Sequence, residues 1–137
     1  METVINFIVG DYCGDGHNKY ETIQMLIKCP DNINIEETLN IAEEEIKNQF
    51  AIDLASWFAD YEDNIINSED IHKLKSLGIN LGENTVLNEN ESLVCYTAED
   101  YFHIWKQLIE KVNPTIKIEQ LNLPTFFSKC SGYGLYE

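Results

Sequence analysis

The chain opens with two apolar segments that flank a cluster of turn-forming residues. Residues 3–9 are mostly apolar, and in residues 20–28 apolar side chains alternate with polar ones. A period of two is typical of β-strands, and the Asp, Gly and Asn residues between the segments favour a turn. The pattern predicts a β-hairpin whose second strand ends at Pro30, because proline has no N–H for a strand ladder.

Beyond the hairpin, apolar residues recur at intervals of three and four, as in amphipathic helices. The first such segment begins at Asn34, an N-cap residue, with Glu37 three positions later in a capping-box pattern. Its apolar face is formed by Ile35, Leu39, Ala42, Ile46 and Phe50. Acidic side chains occupy most of the remaining surface, so we predict a helix with one buried and one charged face.

Two shorter helices are predicted in the middle of the chain. One follows Asp53, and its apolar residues are Leu54, Trp57, Phe58 and Tyr61. The other covers residues 69–77, with Asn67 or Ser68 as its N-cap. Gly78 is expected to end it in a left-handed conformation.

The last helix is predicted from Thr97, with Asp100 in its first turn, to the residues before Pro114. Its apolar face is formed by Phe102, Trp105, Leu108, Ile109 and Val112. Short strands are predicted at residues 92–96 and 115–121, where apolar and polar side chains again alternate.

Residues 80–91 are rich in Asn and Glu and are expected to form a loop. The predicted order of elements is then β-β-α-α-α-β-α-β, without a linker or an internal repeat. This order predicts an α+β fold. We expect a single domain over residues 1–137, with a small, mostly antiparallel sheet of about four strands and roughly three to four helices packed on it.

Composition supports a folded domain. The chain is 44% hydrophobic and contains seven Tyr, six Phe and two Trp, enough apolar and aromatic surface for a core. Glu2 stands where a signal peptide would have basic residues. Four scattered cysteines, with no Cys-x-x-Cys pair, are typical of free thiols in a reducing compartment. We therefore expect a cytoplasmic protein that does not span a membrane.

The net charge restricts the possible partners. Twenty-four acidic residues face nine Lys and no Arg, which gives a net charge of −15. Arg provides the bidentate contacts that hold phosphate and guanine, and a charge of this size is repelled by nucleic acid and by anionic membranes. Direct binding to DNA, RNA or a membrane is therefore not expected.

Most of the excess charge lies in the middle of the chain. From Glu36 to Asp100 there are sixteen acids and three Lys, and the acids fall mainly on the predicted outer faces and first turns of helices. The residues predicted to bind a partner are Glu36, Glu37, Glu43, Glu44, Glu62, Asp63, Glu69 and Asp70. An array of carboxylates is complementary to a basic protein surface, such as the cleft of a nucleic-acid-binding protein. We interpret the chain as a non-enzymatic interaction protein.

In size, acidity, the amino-acid usage of an AT-rich coding sequence and lack of a catalytic motif, the chain resembles the small phage-borne inhibitors of bacterial defence, such as anti-CRISPR proteins. The resemblance implies that the basic partner is a nucleic-acid-binding defence protein. It assigns a role to no individual residue.

The predicted hairpin turn offers an alternative site. Asp11, Cys13 and Asp15 occupy alternate positions and His17 follows, a spacing that begins like a calcium loop. Thr22 stands where such a loop requires a Glu, and calcium disfavours sulfur ligands. Zinc suits Cys13 and His17 better. Two interpretations stay open: a loop that binds a metal or small ligand, in a binding protein or an enzyme, and an ordinary turn.

No catalytic residue and no cofactor is predicted. Cys13 with His17, or Cys95 with His103, could pair a nucleophile with a base, but neither pair lies in a recognisable motif. A lone Cys on a strand is more often a small buried hydrophobe. The aromatic tail, residues 133–136, is a further candidate for contact with a partner or a second copy.

Overall fold

A computed structural model describes residues 2–12, 18–30, 33–59, 65–82, 86–95, 98–122 and 125–127 of the chain. The strands in these ranges are β1 (Glu2–Tyr12), β2 (Asn18–Lys28), β3 (Ile65–Ile66), β4 (Val86–Leu87), β5 (Leu93–Val94), β6 (Lys117–Gln120) and β7 (Thr125–Phe127). The helices are α1 (Ile35–Phe50), α2 (Leu54–Ala59), α3 (Ser68–Ser76) and α4 (Ala98–Val112).

The predicted hairpin is confirmed, and its strands are longer than the apolar pattern indicates. β1 and β2 pair antiparallel over eleven residues each, from Glu2 opposite Lys28 to Tyr12 opposite Asn18. Turn-forming residues at the inner ends of both strands therefore belong to the ladder. Pairing with a neighbouring strand outweighs their weak intrinsic preference for turns.

The main sheet is antiparallel, in the order β1-β2-β6, and β7 also pairs with β2. Side chains alternate between its two faces. On the inner face the buried residues are Phe7, Ile23, Met25, Ile27 and Ile118. Helix α4 packs against β1, β2 and β6, α1 packs against α4, and α2 contacts β1. The α+β arrangement predicted from the sequence is thus confirmed.

The centre of the core is aromatic. The ring centroid of Phe7 lies 5.3 Å from that of Phe102 and 5.0 Å from that of Trp105. All three side chains are buried, and tilted contacts of this kind add to the free energy of burial. Strand β1 and helix α4 are therefore held in a fixed relation.

A second, smaller antiparallel sheet joins β3, β5 and β4 in that order. Only β5 falls within a predicted strand. The prediction of a loop over residues 80–91 is wrong at β4, and neither β3 nor β7 was expected. Strands of two or three residues are too short to show a period of two, so the sequence pattern does not reveal them.

The predicted N-caps of α1 and α3 are confirmed, and α3 covers Ser68–Ser76 where 69–77 was predicted. Asn34 Oδ1 accepts a hydrogen bond from Glu37 N at 3.0 Å, and Asn67 Oδ1 accepts one from Asp70 N at 2.8 Å. Gly78, beyond α3, has a φ of +75°, the left-handed conformation that glycine adopts at low cost. The capping residues of α1 and α3 therefore fix where their acidic first turns lie.

Candidate functional site

The eight acids predicted to bind a partner fall into three groups. Four are solvent-exposed: Glu36, Glu37, Glu44 and Glu69. Two are partly buried and accept hydrogen bonds: Glu43 and Asp70. Two lie outside the described residues: Glu62 and Asp63.

Glu43 joins the acidic face of α1 to the core. Its Oε1 accepts a hydrogen bond from Trp105 Nε1 at 3.1 Å. Burial raises the pKa of the Glu43 carboxyl above its ordinary value of 4.5, and the hydrogen bond from Trp105 opposes that rise. Its carboxylate is therefore stabilised less by water than those of its exposed neighbours.

Asp70 plays a similar part between α2 and α3. Its Oδ2 accepts a hydrogen bond from Trp57 Nε1 at 3.1 Å, and its Oδ1 lies 3.4 Å from Lys73 Nζ. The same ammonium donates to the carbonyl oxygen of Ala51 at 2.9 Å, at the end of α1. Asp70 thus has both a hydrogen-bond donor and a cation beside it. These contacts connect α3 to α2 and to the end of α1.

In the part of the chain that the structure describes, the exposed glutamates of α1 are not paired with a cation. Among the described residues, no Lys or His lies within ion-pair distance of Glu36, Glu37 or Glu44, whereas Lys73 and Lys106 pair with acids of α3 and α4. Three solvated and uncompensated carboxylates on one helix produce a local negative potential. The sequence prediction therefore retains its main physical support on α1.

Two clefts run beside this face of α1. The first has a volume of about 310 Å³ and lies between α1, β1 and Trp105. The second, of about 270 Å³, lies between α1 and the start of α2. Asn40 and Glu43 line both clefts, so the two clefts adjoin the same part of α1, and we call them together the α1 groove. It follows the helix from Glu36 to Lys47.

The first cleft opens along the edge of the main sheet. Strand β1 is the terminal strand in the order β1-β2-β6, and no described strand pairs with its other side. The cleft is lined by Asn6 and Ile8, whose side chains are exposed, and by Ile5 and Phe7, which face the core. A cleft lined from both faces of one strand must lie at the edge of that strand.

Sequence reasoning found the carboxylates of this site and missed the groove. The sequence pattern marks Asn40 as a polar position of a helix and Trp105 as a core position. Only the tertiary fold places both in the lining of one cleft. The one sequence signal for an open edge was in β1, where Val4, Asn6 and Ile8 occupy alternate positions of a strand that contains no Pro and no Lys.

The alternative metal-binding loop is mostly outside the described residues. Asp11 lies in β1 opposite Lys19, whereas Cys13, Asp15 and His17 are not described. Within the described ranges no group of three or more His, Cys, Asp or Glu side chains is placed to hold a metal ion. Metal binding by residues 11–17 stays a prediction from the sequence. The tail at 133–136 is likewise outside the described residues.

The surroundings of Cys95 disfavour a role as a nucleophile. Burial, with a further contribution from the negative charge of Asp100, raises the pKa of the Cys95 thiol to about 12, so the reactive thiolate is scarce at neutral pH. His103 Nε2 is buried without a hydrogen-bond partner in the described part of the chain. Cys95 behaves as the small buried hydrophobe that the sequence favoured.

None of the described helices combines the length and the apolar character needed to cross a membrane. Compared with known protein families, with curated proteins and with solved structures, the chain matches none of them. The geometry and charge of the α1 groove and its exposed glutamates are therefore the basis for a functional conclusion.

Proposed function

We propose that the protein is a non-enzymatic interaction protein that binds a basic surface of a partner protein through the acidic face of α1 and the groove beside it. One observation carries the proposal: Glu36, Glu37 and Glu44 are exposed on one helix with no cation within ion-pair distance among the described residues. Lys or Arg side chains of a partner would supply that cation.

The physical gain from such a partner is mainly in association and specificity. Exposed ion pairs contribute little individually, about 0–1 kcal/mol each. A concentrated negative potential, however, attracts a basic surface over a distance of about one Debye length and repels acidic competitors. Nucleic-acid-binding proteins present basic surfaces of this kind, and an inhibitor that occupies one is the form of the function that we favour.

The test is capture of a partner by the immobilised protein from cell lysate at low and at high salt, followed by purification of that partner. Two double variants, with Glu37→Lys and Glu44→Lys on α1 or with Glu89→Lys and Glu119→Lys elsewhere, change the net charge of −15 by the same amount. All four glutamates are exposed. We expect the α1 variant to lose at least about tenfold in affinity and the control to lose much less.

An equal loss in the two variants would show that binding depends on net charge alone and would contradict a site on α1. Affinity for the purified partner that does not change with salt would contradict the proposed function as a whole.

A further inference from the structure

The direction of the backbone groups in β1 follows from hydrogen bonds on the far side of β2. The carbonyl oxygen of Gln24 accepts a hydrogen bond from Leu121 N at 2.8 Å, and Gln24 N donates to Asn122 Oδ1 at 2.7 Å. Both groups of Gln24 therefore point away from β1. Because these groups alternate in direction along a strand, the odd-numbered residues of β2 bond to β1. Odd residues pair with odd residues, so the even-numbered residues of β1 direct their N–H and C=O groups to the edge with which no described strand pairs.

Three common forms of edge protection are absent from the central part of β1 itself, although helix α2 contacts this strand. From Val4 to Ile8 there is no Pro and no Lys, and the pairing with β2 is continuous, without a bulge. Natural proteins commonly use such features to prevent unwanted pairing at a sheet edge. Val4 and Ile8 are also 53% and 43% exposed. They are apolar side chains of the kind that stabilise a neighbouring strand.

The α1 groove provides space for that neighbouring strand. On the core side of β1, the apolar surface of the first cleft is formed by Ile5, Phe7, Met25, Leu39 and Trp105. The lining residues on α1 run from Glu36 to Lys47, eleven steps of the helix or about 16 Å at the rise of an α-helix. An extended segment of about five residues has the same length.

The charge of the groove determines what kind of segment it accepts. Among the described residues, four carboxylates line the two clefts, those of Glu36, Glu43, Glu44 and Asp53, and the one cation beside them is Lys47. Lys and Arg side chains can pack their hydrocarbon stems on an apolar surface while their charged ends reach a carboxylate. The groove is therefore suited to a basic segment.

We propose that a partner protein adds an extended, basic segment to the free edge of β1, so that it becomes a further strand of the main sheet within the α1 groove. The inference rests on the proposed function and identifies which part of the partner is recognised. Lys or Arg side chains of the segment face α1, and the alternate, apolar side chains lie beside Val4 and Ile8. Backbone hydrogen bonds provide affinity and the acidic wall provides specificity.

A second copy of the chain is a poorer occupant. Two protomers joined edge to edge would each bring a net charge of −15 and would place their acidic grooves next to each other. Like charges at an interface are costly. A basic segment has the complementary charge, and it needs only one free edge.

The test uses a ten-residue peptide of alternating Lys and Val, and a peptide of alternating Lys and Gly with the same length and charge. We expect the Lys-Val peptide to bind at least about tenfold more tightly, because valine favours the extended conformation and packs beside the edge. Backbone amide exchange followed by NMR gives the direct readout. Bound peptide should slow exchange at Val4, Asn6 and Ile8, whose N–H groups point outward, and should change Ile5 and Phe7 much less.

Two variants at Asn6 distinguish the contribution of backbone pairing to peptide binding from the contribution of charge. Asn6→Pro removes an outward N–H at an edge position, where proline is compatible with folding, whereas Asn6→Ala keeps that N–H. We expect Asn6→Pro to weaken the Lys-Val peptide at least about tenfold relative to Asn6→Ala. Thermal unfolding of both variants confirms that they are folded, and the exchange measurement on the unmodified protein does not depend on either variant.

The outcomes distinguish this inference from the proposed function. Equal binding of the two peptides, without alternating protection in β1, would overturn strand addition and leave salt-dependent binding to the acidic face intact. Protection of Val4, Asn6 and Ile8 in the free protein, together with the mass of a dimer, would show that a second copy occupies the edge and would also overturn the inference. If the α1 double variant binds the purified partner normally, the proposed function itself fails.

Discussion

Two tryptophan side chains are held by the same contact in two regions of the molecule. Between α2 and α3, Trp57 Nε1 donates to Asp70 at 3.1 Å. Between α4 and α1, Trp105 Nε1 donates to Glu43, also at 3.1 Å. Each carboxylate accepts a hydrogen bond from the only polar group of a buried indole ring.

The two regions differ in what compensates the carboxylate charge. Asp70 has Lys73 beside it at 3.4 Å, whereas no Lys or His is within ion-pair distance of Glu43 in the described ranges. The charge of Asp70 is therefore balanced within the protein. Glu43 instead lines the α1 groove, and its charge is not balanced by a described cation. A Lys or Arg of a partner would supply at Glu43 the cation that Lys73 supplies at Asp70.

The largest expected effect comes from removing the two indole N–H groups. Trp105→Phe should lower the free energy of unfolding by about 2–3 kcal/mol, because it leaves a small cavity and a partly buried carboxylate without its donor. Trp57→Phe should cost roughly 1 kcal/mol less, since Asp70 keeps Lys73. Urea unfolding followed by circular dichroism measures both values, and equal losses would mean that Lys73 does not compensate Asp70.

A smaller effect, of opposite sign in the two regions, is expected when each carboxylate is made neutral and keeps its hydrogen bond to tryptophan. Asp70→Asn removes the attraction to Lys73 and should destabilise the protein by about 0.5–1 kcal/mol. Glu43→Gln removes an uncompensated, partly desolvated charge and should raise stability by roughly half a kcal/mol at pH 7. Thermal unfolding of the two variants side by side tests the sign. Destabilisation by Glu43→Gln would show that the Glu43 charge has a compensating partner in the protein.

The elements that the sequence predicted well are those with many residues or with a specific cap. The α1 helix shows four turns of apolar spacing and an Asn34 cap, and the structure reproduces both. Strands β3, β4 and β7 have two or three residues each. Tertiary pairing determines such short strands, because they have too few residues to show a pattern.

The sequence predicted the negative charge of the candidate site but not the groove beside it. Composition and helical spacing placed Glu36, Glu37 and Glu44 on an outer face, and all three are exposed. The same spacing could not distinguish Glu43, one position before Glu44, whose partner Trp105 is 62 residues away in the chain. Contacts between distant segments depend on how α1 crosses α4, and a local pattern carries no information about that crossing.

The smallest expected effect is a dependence of stability on pH that comes from Glu43. Burial raises the pKa of this carboxyl above 4.5 in the folded protein, so the folded state holds a proton that the unfolded state has already lost. Stability therefore falls as the pH rises from 4.5 through the raised pKa, and it is regained as the pH is lowered again. Glu43→Gln lacks this titration. The stability advantage of Glu43→Gln should accordingly be largest at neutral pH and should disappear only well below pH 4.5, where the carboxyl is protonated in both states.

Urea unfolding of the wild type and of Glu43→Gln at a series of pH values measures this change, and Glu44→Gln, an exposed neighbour on the same helix, controls for the loss of one charge. A stability difference between the Glu43 and Glu44 variants that stays constant with pH would contradict a raised pKa at Glu43. If the stabilities of the two variants become equal at low pH, the ionised carboxylate of Glu43 destabilises the folded protein at neutral pH. A basic side chain bound there would then stabilise the ionised form, and this links the stability of α1 to occupation of the groove.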